Sequence, residues 1–190
     1  VSFDTERLNI STDIRTIVGK SDIVFIVVPS AYIKATLDPL TESDFKYKIV
    51  VSAVKGIIPV DNTIVANYLN RIFLVDPKNY GVIGGPCHSE EIALERLSYL
   101  TFAFRDKTLA EKIKALFVTR YLKATIIDDV LGAEYAMILK NIYAIASGIC
   151  VGLGYGDNFL AVLISAAVKE MQAFLNKVCP NERQILNPVY

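Results

Sequence analysis

Strand-like runs occur up to Ile127 and not beyond it, and this break constrains the fold more than any other feature of the sequence. Five short β-rich runs come first: "DIVFIVV" (22–28), "KIVVSAV" (48–54), "YGVIGG" (80–85), "YLTFAF" (99–104) and "YLKATII" (121–127). Segments with apolar residues at helical spacing lie between them: "TDIRTIVGKS", with a start at Thr12 and a stop at Gly19, "DNTIVANYLNRI" and "KTLAEKIKALFV". Strands alternating with helices predict an α/β fold whose mostly parallel sheet is covered on both faces. From about Asp128 two long helical patterns follow, roughly 129–150 and 157–177, joined by the glycine-rich "GLGYG". The chain therefore divides into an α/β region, 1–127, and the first part of an all-helical region, 128–190. With no long linker between them, the two should pack together.

Composition narrows the partners. At 190 residues with 53% hydrophobic content, the chain can bury a sizeable core as one or two domains. Its 20 Lys and Arg balance 20 Asp and Glu without a basic run, so no nucleic acid and no anionic membrane surface is expected as a partner. Cys87, Cys150 and Cys179 are odd in number and widely spaced, which argues against a disulfide framework and against a CxxC metal knuckle. Reduced thiols in a cytoplasmic protein fit best. The opening "VSFDTERLNI" lacks a basic start followed by an apolar core and is not expected to be a signal peptide. It also lacks an initiator Met, so the chain reads as a piece of something longer. Residues 137–156 have the length of a membrane span, but Lys140 and Asn141 interrupt them and four glycines near their end weaken them. A buried helix without membrane insertion is the expectation.

Several places could carry chemistry. "VVPSAY" (27–32), with Pro29 and Ser30, ends a strand where open α/β sheets bind ligands, although the same residues serve as loop punctuation. Lys55 follows the next strand directly, beside Gly56, and a lysine there is as a rule a solvated loop residue. "GGPCHSEE" (84–91) ends the third strand and offers Ser89 at a helix start, either as an anion site or as a capped rigid turn. Adjacent Cys87 and His88 do not converge and have no metal-ligand spacing, so no metal is expected. "GLGYGDN" has GxGxG spacing after a helix, not the strand–GxGxxG–helix context of a dinucleotide loop. Lys140 differs from all of these. On a helix its three- and four-residue neighbours are Ala136, Met137, Tyr143 and Ala144, an apolar or small stripe. Burying an ammonium there costs several kcal/mol unless it is compensated, and snorkelling is the plain alternative. With Asn141 beside it, Lys140 reads as a cation aimed into a cleft between the two regions.

These segments carry a resemblance. "DIVFIVVPS", "VSAVKGI", "GGPCHSEEIA", "GAEYAMILKNIYAIASGICVGLGYGDN" and the later "KEM" occur in the order and spacing of the NAD(P)-dependent glycerol-3-phosphate dehydrogenase family. The resemblance implies an incomplete Rossmann-type sheet followed by an all-helical substrate domain. It further implies NAD or NADP as cofactor, reduction of dihydroxyacetone phosphate to sn-glycerol 3-phosphate for glycerophospholipid synthesis and carbohydrate metabolism, a cytoplasmic location and a homodimer. Residue by residue, Lys140 matches the catalytic lysine and Asn141 its polar neighbour. Lys55 matches the lysine that reaches substrate and cofactor. Gly85 and the position of Cys87 match the substrate-contacting turn, while Ser89 and Pro29 fall at cofactor-contacting positions. Cys87 stands where the family has Ser or Thr, and Ser89 where it has Ala. A thiol is a weak donor, so contacts from position 87 would run through the backbone. The resemblance also implies that a glycine-rich first βα turn precedes this stretch and that Asp, Thr or Ser and an Arg-Asn pair follow it, leaving this stretch inactive alone. Two other readings use the same fold: a different two-domain hydroxy-acid dehydrogenase, and a non-catalytic binding module.

Overall fold

The computed structural model describes residues 5–185 and 187–190. The reading of the opening segment as other than a leader falls partly on residues 1–4, which lie outside the described residues. The chain forms α1 (Ile14–Gly19), β1 (Ile23–Ile26), α2 (Ile33–Leu37), β2 (Ile49–Ser52), α3 (Val65–Phe73), β3 (Tyr80–Gly84), α4 (Ser89–Ala93), β4 (Ser98–Phe104), α5 (Lys107–Ala115), β5 (Leu122–Ile127), α6 (Val130–Gly152) and α7 (Asp157–Val178). Short 3-10 turns lie at Ser30–Tyr32 and Glu42–Phe45. The cap of α1 is Asp13, not Thr12: one oxygen of its carboxylate accepts the Arg15 N–H and the other the Thr16 hydroxyl, a division that the single hydroxyl oxygen of a threonine could not make.

The five strands lie in sequence order in one sheet. β1, β2 and β3 are parallel, β4 is antiparallel to β3, and β5 is parallel to β4. Three of the four strand pairs are parallel, as the alternation of elements predicts, and the reversal at β4 makes the sheet mixed. Apolar periodicity is blind to strand direction. The β3–β4 connection, residues 85–97, carries the five-residue α4, and β4 returns antiparallel to β3.

Apolar clusters cover both faces. On one face, Val18, Ile33, Leu37, Val65, Leu69 and Phe73 from α1, α2 and α3 pack on Ile26, Val50 and Val82. On the other, Ala110 and Ile113 of α5 pack on Val51, Ile83, Phe102 and Leu122. The first cluster also takes in Val130, Ala133 and Met137, so the first half of α6 is part of the sheet's own core.

Strand reversal decides where α6 starts. Ile127 pairs with Ala103, which pairs with Val82, so Asp128 and Asp129 leave the sheet beside the beginning of β3. Asp129 caps α6 by accepting the Gly132 N–H at 3.2 Å. It also holds the segment after α7: Arg183 Nε donates to its Oδ2 at 2.5 Å and the Tyr190 hydroxyl to the same atom at 2.8 Å. The Arg183 and Asp129 side chains are only 2% and 8% exposed. Past this cap α6 runs back along β3. At Gly84 a Cβ would stand 2.3 Å from Met137 Sδ, so the missing side chain is what lets the helix lie this close.

Between these points Glu134 is fully buried. Its carboxyl accepts the Val65 N–H at 2.6 Å, the Ala66 N–H at 3.3 Å and the Tyr80 hydroxyl at 3.2 Å. Ile64, at the N-cap of α3, offers no side-chain acceptor, so α6 supplies the cap that α3 lacks. Burial outweighs these hydrogen bonds and raises the Glu134 carboxyl to about 7.

Residues 137–156 do not form the buried helix expected. Beyond Lys140, α6 turns its apolar residues outward, with Ile145 66% and Ile149 58% exposed, because among the described residues it is chiefly α7 that packs on it there. Ala136, Met171 and Leu175 make that helix pair's small core, with Tyr135 edge-on to Phe174. Both helices are long and apolar enough to cross a membrane by length and composition.

Two stability measurements check this account. Arg183→Met leaves Asp129 charged and buried and should lower unfolding stability by about 3–5 kcal/mol in denaturant titration; a loss below about 1 kcal/mol, the worth of an exposed pair, contradicts the clamp. For Glu134 the folded state keeps its proton up to about 7 while the unfolded chain releases it near the ordinary value of 4.5. The group's contribution is thus complete below 4.5 and is lost as pH rises to 7. The stability of Glu134→Gln relative to wild type should therefore improve between pH 4.5 and 7, and a constant difference contradicts the shift.

Candidate functional site

Because β1, β2 and β3 point the same way, the segments that follow them gather at one edge of the sheet. Pro29 leads from β1 into the 3-10 turn, Lys55 stands just past β2, and Gly85 to Ser89 form the turn after β3. Gly85 has φ +125°, and a Cβ there would lie 2.6 Å from the Tyr99 carbonyl oxygen. Glycine is required by both counts. The turn is thereby held against the start of β4, where the Tyr99 N–H also donates to the Pro86 carbonyl.

α6 reaches this edge from the opposite one. Asp129 to Lys140 spans about 16 Å at about 1.5 Å per residue, close to the length of β3, so the helix delivers Lys140 where the loops converge. Asn141 Nδ2 donates to the Lys55 carbonyl at 3.3 Å, tying α6 to the loop after β2. Lys140 is half-buried, not enclosed as its apolar stripe suggests, because Ala136 and Met137 are buried beneath it while Ala144 beyond it is exposed. Its ammonium donates to the carbonyls of Pro188 at 2.9 Å and Val189 at 3.5 Å. Burial, and then the positive charge of Lys55, hold its pKa below the ordinary lysine value of 10.5. Among the described residues no carboxylate pairs with Lys140 or Lys55. A cleft of about 260 Å³ opens beside Lys140 between α6 and α7, lined also by Tyr143, Ser147, Met171 and Tyr190.

The structure thus brings Lys140, Asn141 and Lys55 together. Cys87 belongs to the same neighbourhood: burial raises its thiol, while Lys55 pulls in the other direction. Its side chain packs on the apolar cluster under α5. Pro29 and Ser89 stand exposed at the same edge, and the Ser89 hydroxyl is turned to Glu90. Among the described residues no group of His, Cys, Asp and Glu converges as a metal site would require. A larger cavity of about 520 Å³ lies at the opposite edge, where Asp129 and Arg183 in its wall are bonded to one another.

Sequence reasoning passes over Glu134. The signal that could have found it is a lone carboxylate six residues before Lys140 in "GAEYAMILKN", on the same apolar face as Met137. What the edge can do is defined by charge. Two cations without a carboxylate partner among the described residues, one of them with a lowered pKa, stand near the turns that follow the strands; such a site suits a phosphate-bearing anion and can donate a proton to a developing oxyanion.

Comparison with known proteins gives this arrangement a lineage. The glycerol-3-phosphate dehydrogenase [NAD(P)+] of Halothermothrix orenii is 34% identical over 170 residues, covering 87% of this chain and 48% of that protein. The chain spans about half the length of the curated relatives it matches. In fold, it superposes on DsGPDH of Dunaliella salina with a TM-score of 0.85 at 24% identity, over 94% of this chain and 31% of the other. With glycerol-3-phosphate dehydrogenase of Plasmodium falciparum the TM-score is 0.82 at 23% identity, over 94% and 51%. The family profile described as NAD-dependent glycerol-3-phosphate dehydrogenase N-terminus matches residues 3–110 and the corresponding C-terminus profile matches residues 129–188, so the chain belongs to the NAD-dependent glycerol-3-phosphate dehydrogenase family.

Proposed function

We propose that the protein is an oxidoreductase that reduces dihydroxyacetone phosphate to sn-glycerol 3-phosphate with NADH or NADPH, in the cytoplasm and as a homodimer, feeding glycerophospholipid synthesis. The observation that carries this reading is the placement of Lys140 beside the Lys55 loop at the strand-end edge, in a chain of this family. Residues 1–127 serve as part of the dinucleotide-binding domain and 128–190 as the first part of the substrate domain. Pro29, Lys55 and Ser89 occupy the edge where open α/β sheets bind dinucleotides, and lysines without carboxylate partners among the described residues fit a cofactor and a substrate that are both anionic.

When bound, the reduced nicotinamide supplies a hydride to the substrate's carbonyl carbon. The chain's own part is to receive the charge that then develops on the carbonyl oxygen. Lys140 donates its proton there; burial and Lys55 lower its pKa, which makes it a stronger acid than a solvated lysine. Asn141 holds the Lys55 loop against α6, and Lys55 attracts the substrate phosphate as a point charge. The Gly85 turn and the backbone at Cys87 offer contacts to the substrate from the same edge, with the Cys87 side chain packed on the core.

The direct test assays the full-length protein with dihydroxyacetone phosphate and NADH or NADPH; no turnover with either would overturn the reading. In the same assay Lys140→Ala should lower kcat at least about 100-fold with NADH affinity little changed. Near-wild-type turnover would remove Lys140 from the chemistry. Lys55→Ala should chiefly raise KM for the phosphate-bearing substrate, since its role is positioning, and an unchanged KM returns Lys55 to a solvated loop. Since Lys140 must be protonated to donate, kcat should fall as pH rises through a value below 10.5, and a flat alkaline limb contradicts the assignment.

A further inference from the structure

Glu134 is a fully buried carboxyl outside the crevice, with no part in the chemistry above. Its hydrogen bonds run to the first turn of α3, and α3 follows directly on the loop that carries Lys55. That loop had a local alternative. Thr63 lies one residue before the N-cap and Asp61 two before Thr63, yet the N-cap itself is Ile64, and Asp61 is engaged by Lys34 and Arg71. The open N–H groups of α3 are thus left for an acceptor from α6.

Three contacts of α6 then fall on one stripe. Glu134 meets Val65 and Ala66, Met137 seats on Gly84, and Asn141 meets the Lys55 carbonyl. Residues at i, i+3 and i+7 share a helix face, so these contacts together set both the rotation and the axial position of α6 against the 55–66 segment. Lys140 sits next to the last of them. We infer that Glu134 is a positioning residue for Lys140: by capping α3 from α6, its carboxyl fixes the helix that carries Lys140 in register with the loop that carries Lys55. The inference rests on the reduction proposed above and deepens it.

The test uses the full-length protein with Glu134→Ala, Glu134→Asp and Glu134→Gln, measuring kcat, KM, NADH affinity and amide hydrogen exchange. Without the acceptor α6 can pivot on Met137, and a displacement of about 1 Å at the reacting groups costs up to about 100-fold. Glu134→Ala and the shorter Glu134→Asp should lower kcat about 10- to 100-fold, leave KM and NADH affinity within about threefold, and speed exchange at Val65, Ala66 and Asn141. Glu134→Gln keeps an acceptor for the Val65 N–H and should recover kcat to within about threefold of wild type, with slow exchange. Where the Ala variant fails to fold, the Asp and Gln pair decides by the same contrast. The inference is overturned if Gln is as impaired as Asp, if the folded Ala variant keeps wild-type kcat, or if exchange at Asn141 is unmoved in both Ala and Asp. Wild-type protein without activity on dihydroxyacetone phosphate would refute the functional reading instead, and the exchange contrast would still decide whether Glu134 sets the register.

Discussion

The reversal of chain direction between β3 and β4 is the constraint on which the rest of the molecule depends. In an all-parallel continuation β5 would end at the same edge as β1, β2 and β3, and a following helix would start among the loops and run away from them. With β4 and β5 reversed, the chain leaves the sheet at the opposite edge, and α6 must travel the length of β3 to return. The travel is about eleven residues, and it ends at Lys140. A cation is thus presented at the loop edge by a rigid helix, which holds a side chain more narrowly than a loop does.

Three charged residues, Asp129, Glu134 and Lys140, punctuate an otherwise apolar stretch, and each is held differently. Asp129 is buried but is matched by Arg183, the Tyr190 hydroxyl and a backbone N–H. Glu134 is buried deeper and has only neutral donors, which is why burial wins and its carboxyl rises to about 7. Among the described residues Lys140 has only carbonyl acceptors and another lysine for company, so its charge is the least compensated of the three. The order follows the use proposed for them: a matched ion pair to fix the start of the helix, a near-neutral carboxyl to lock it midway, and an unpaired acid at the point of reaction.

Much of this was legible in the sequence. Strand runs show through apolar content, and each observed strand lies inside or within about one residue of its expected run; the two long helices likewise fall within about two residues of expectation, inside ordinary boundary scatter. Lys140 stood out because a lysine among Ala, Met and Tyr violates the usual pattern of a core stripe. What stayed hidden is what periodicity does not encode. The direction of β4 leaves no mark on its apolar pattern, and the cap on α1 depends on which of two adjacent polar residues has two acceptor oxygens to offer. Glu134 was passed over because one glutamate in a helix reads as solvated until the tertiary fold places a bare helix N-terminus against it. The outward-facing half of α6 reads as core from sequence, since an apolar helix is equally apolar whether or not anything covers it.

The proposed reduction is assigned to the strand-end edge beside Lys140 and Lys55, not to the larger cavity at the other edge. A crystal structure of the full-length protein with reduced cofactor and dihydroxyacetone phosphate bound tests it most directly. The account predicts the ketone oxygen within hydrogen-bonding distance of Lys140 Nζ, about 2.7–3.2 Å, with the substrate phosphate on the Lys55 side. A substrate bound away from Lys140, or seated by Asp129 and Arg183 at the opposite edge, would contradict it.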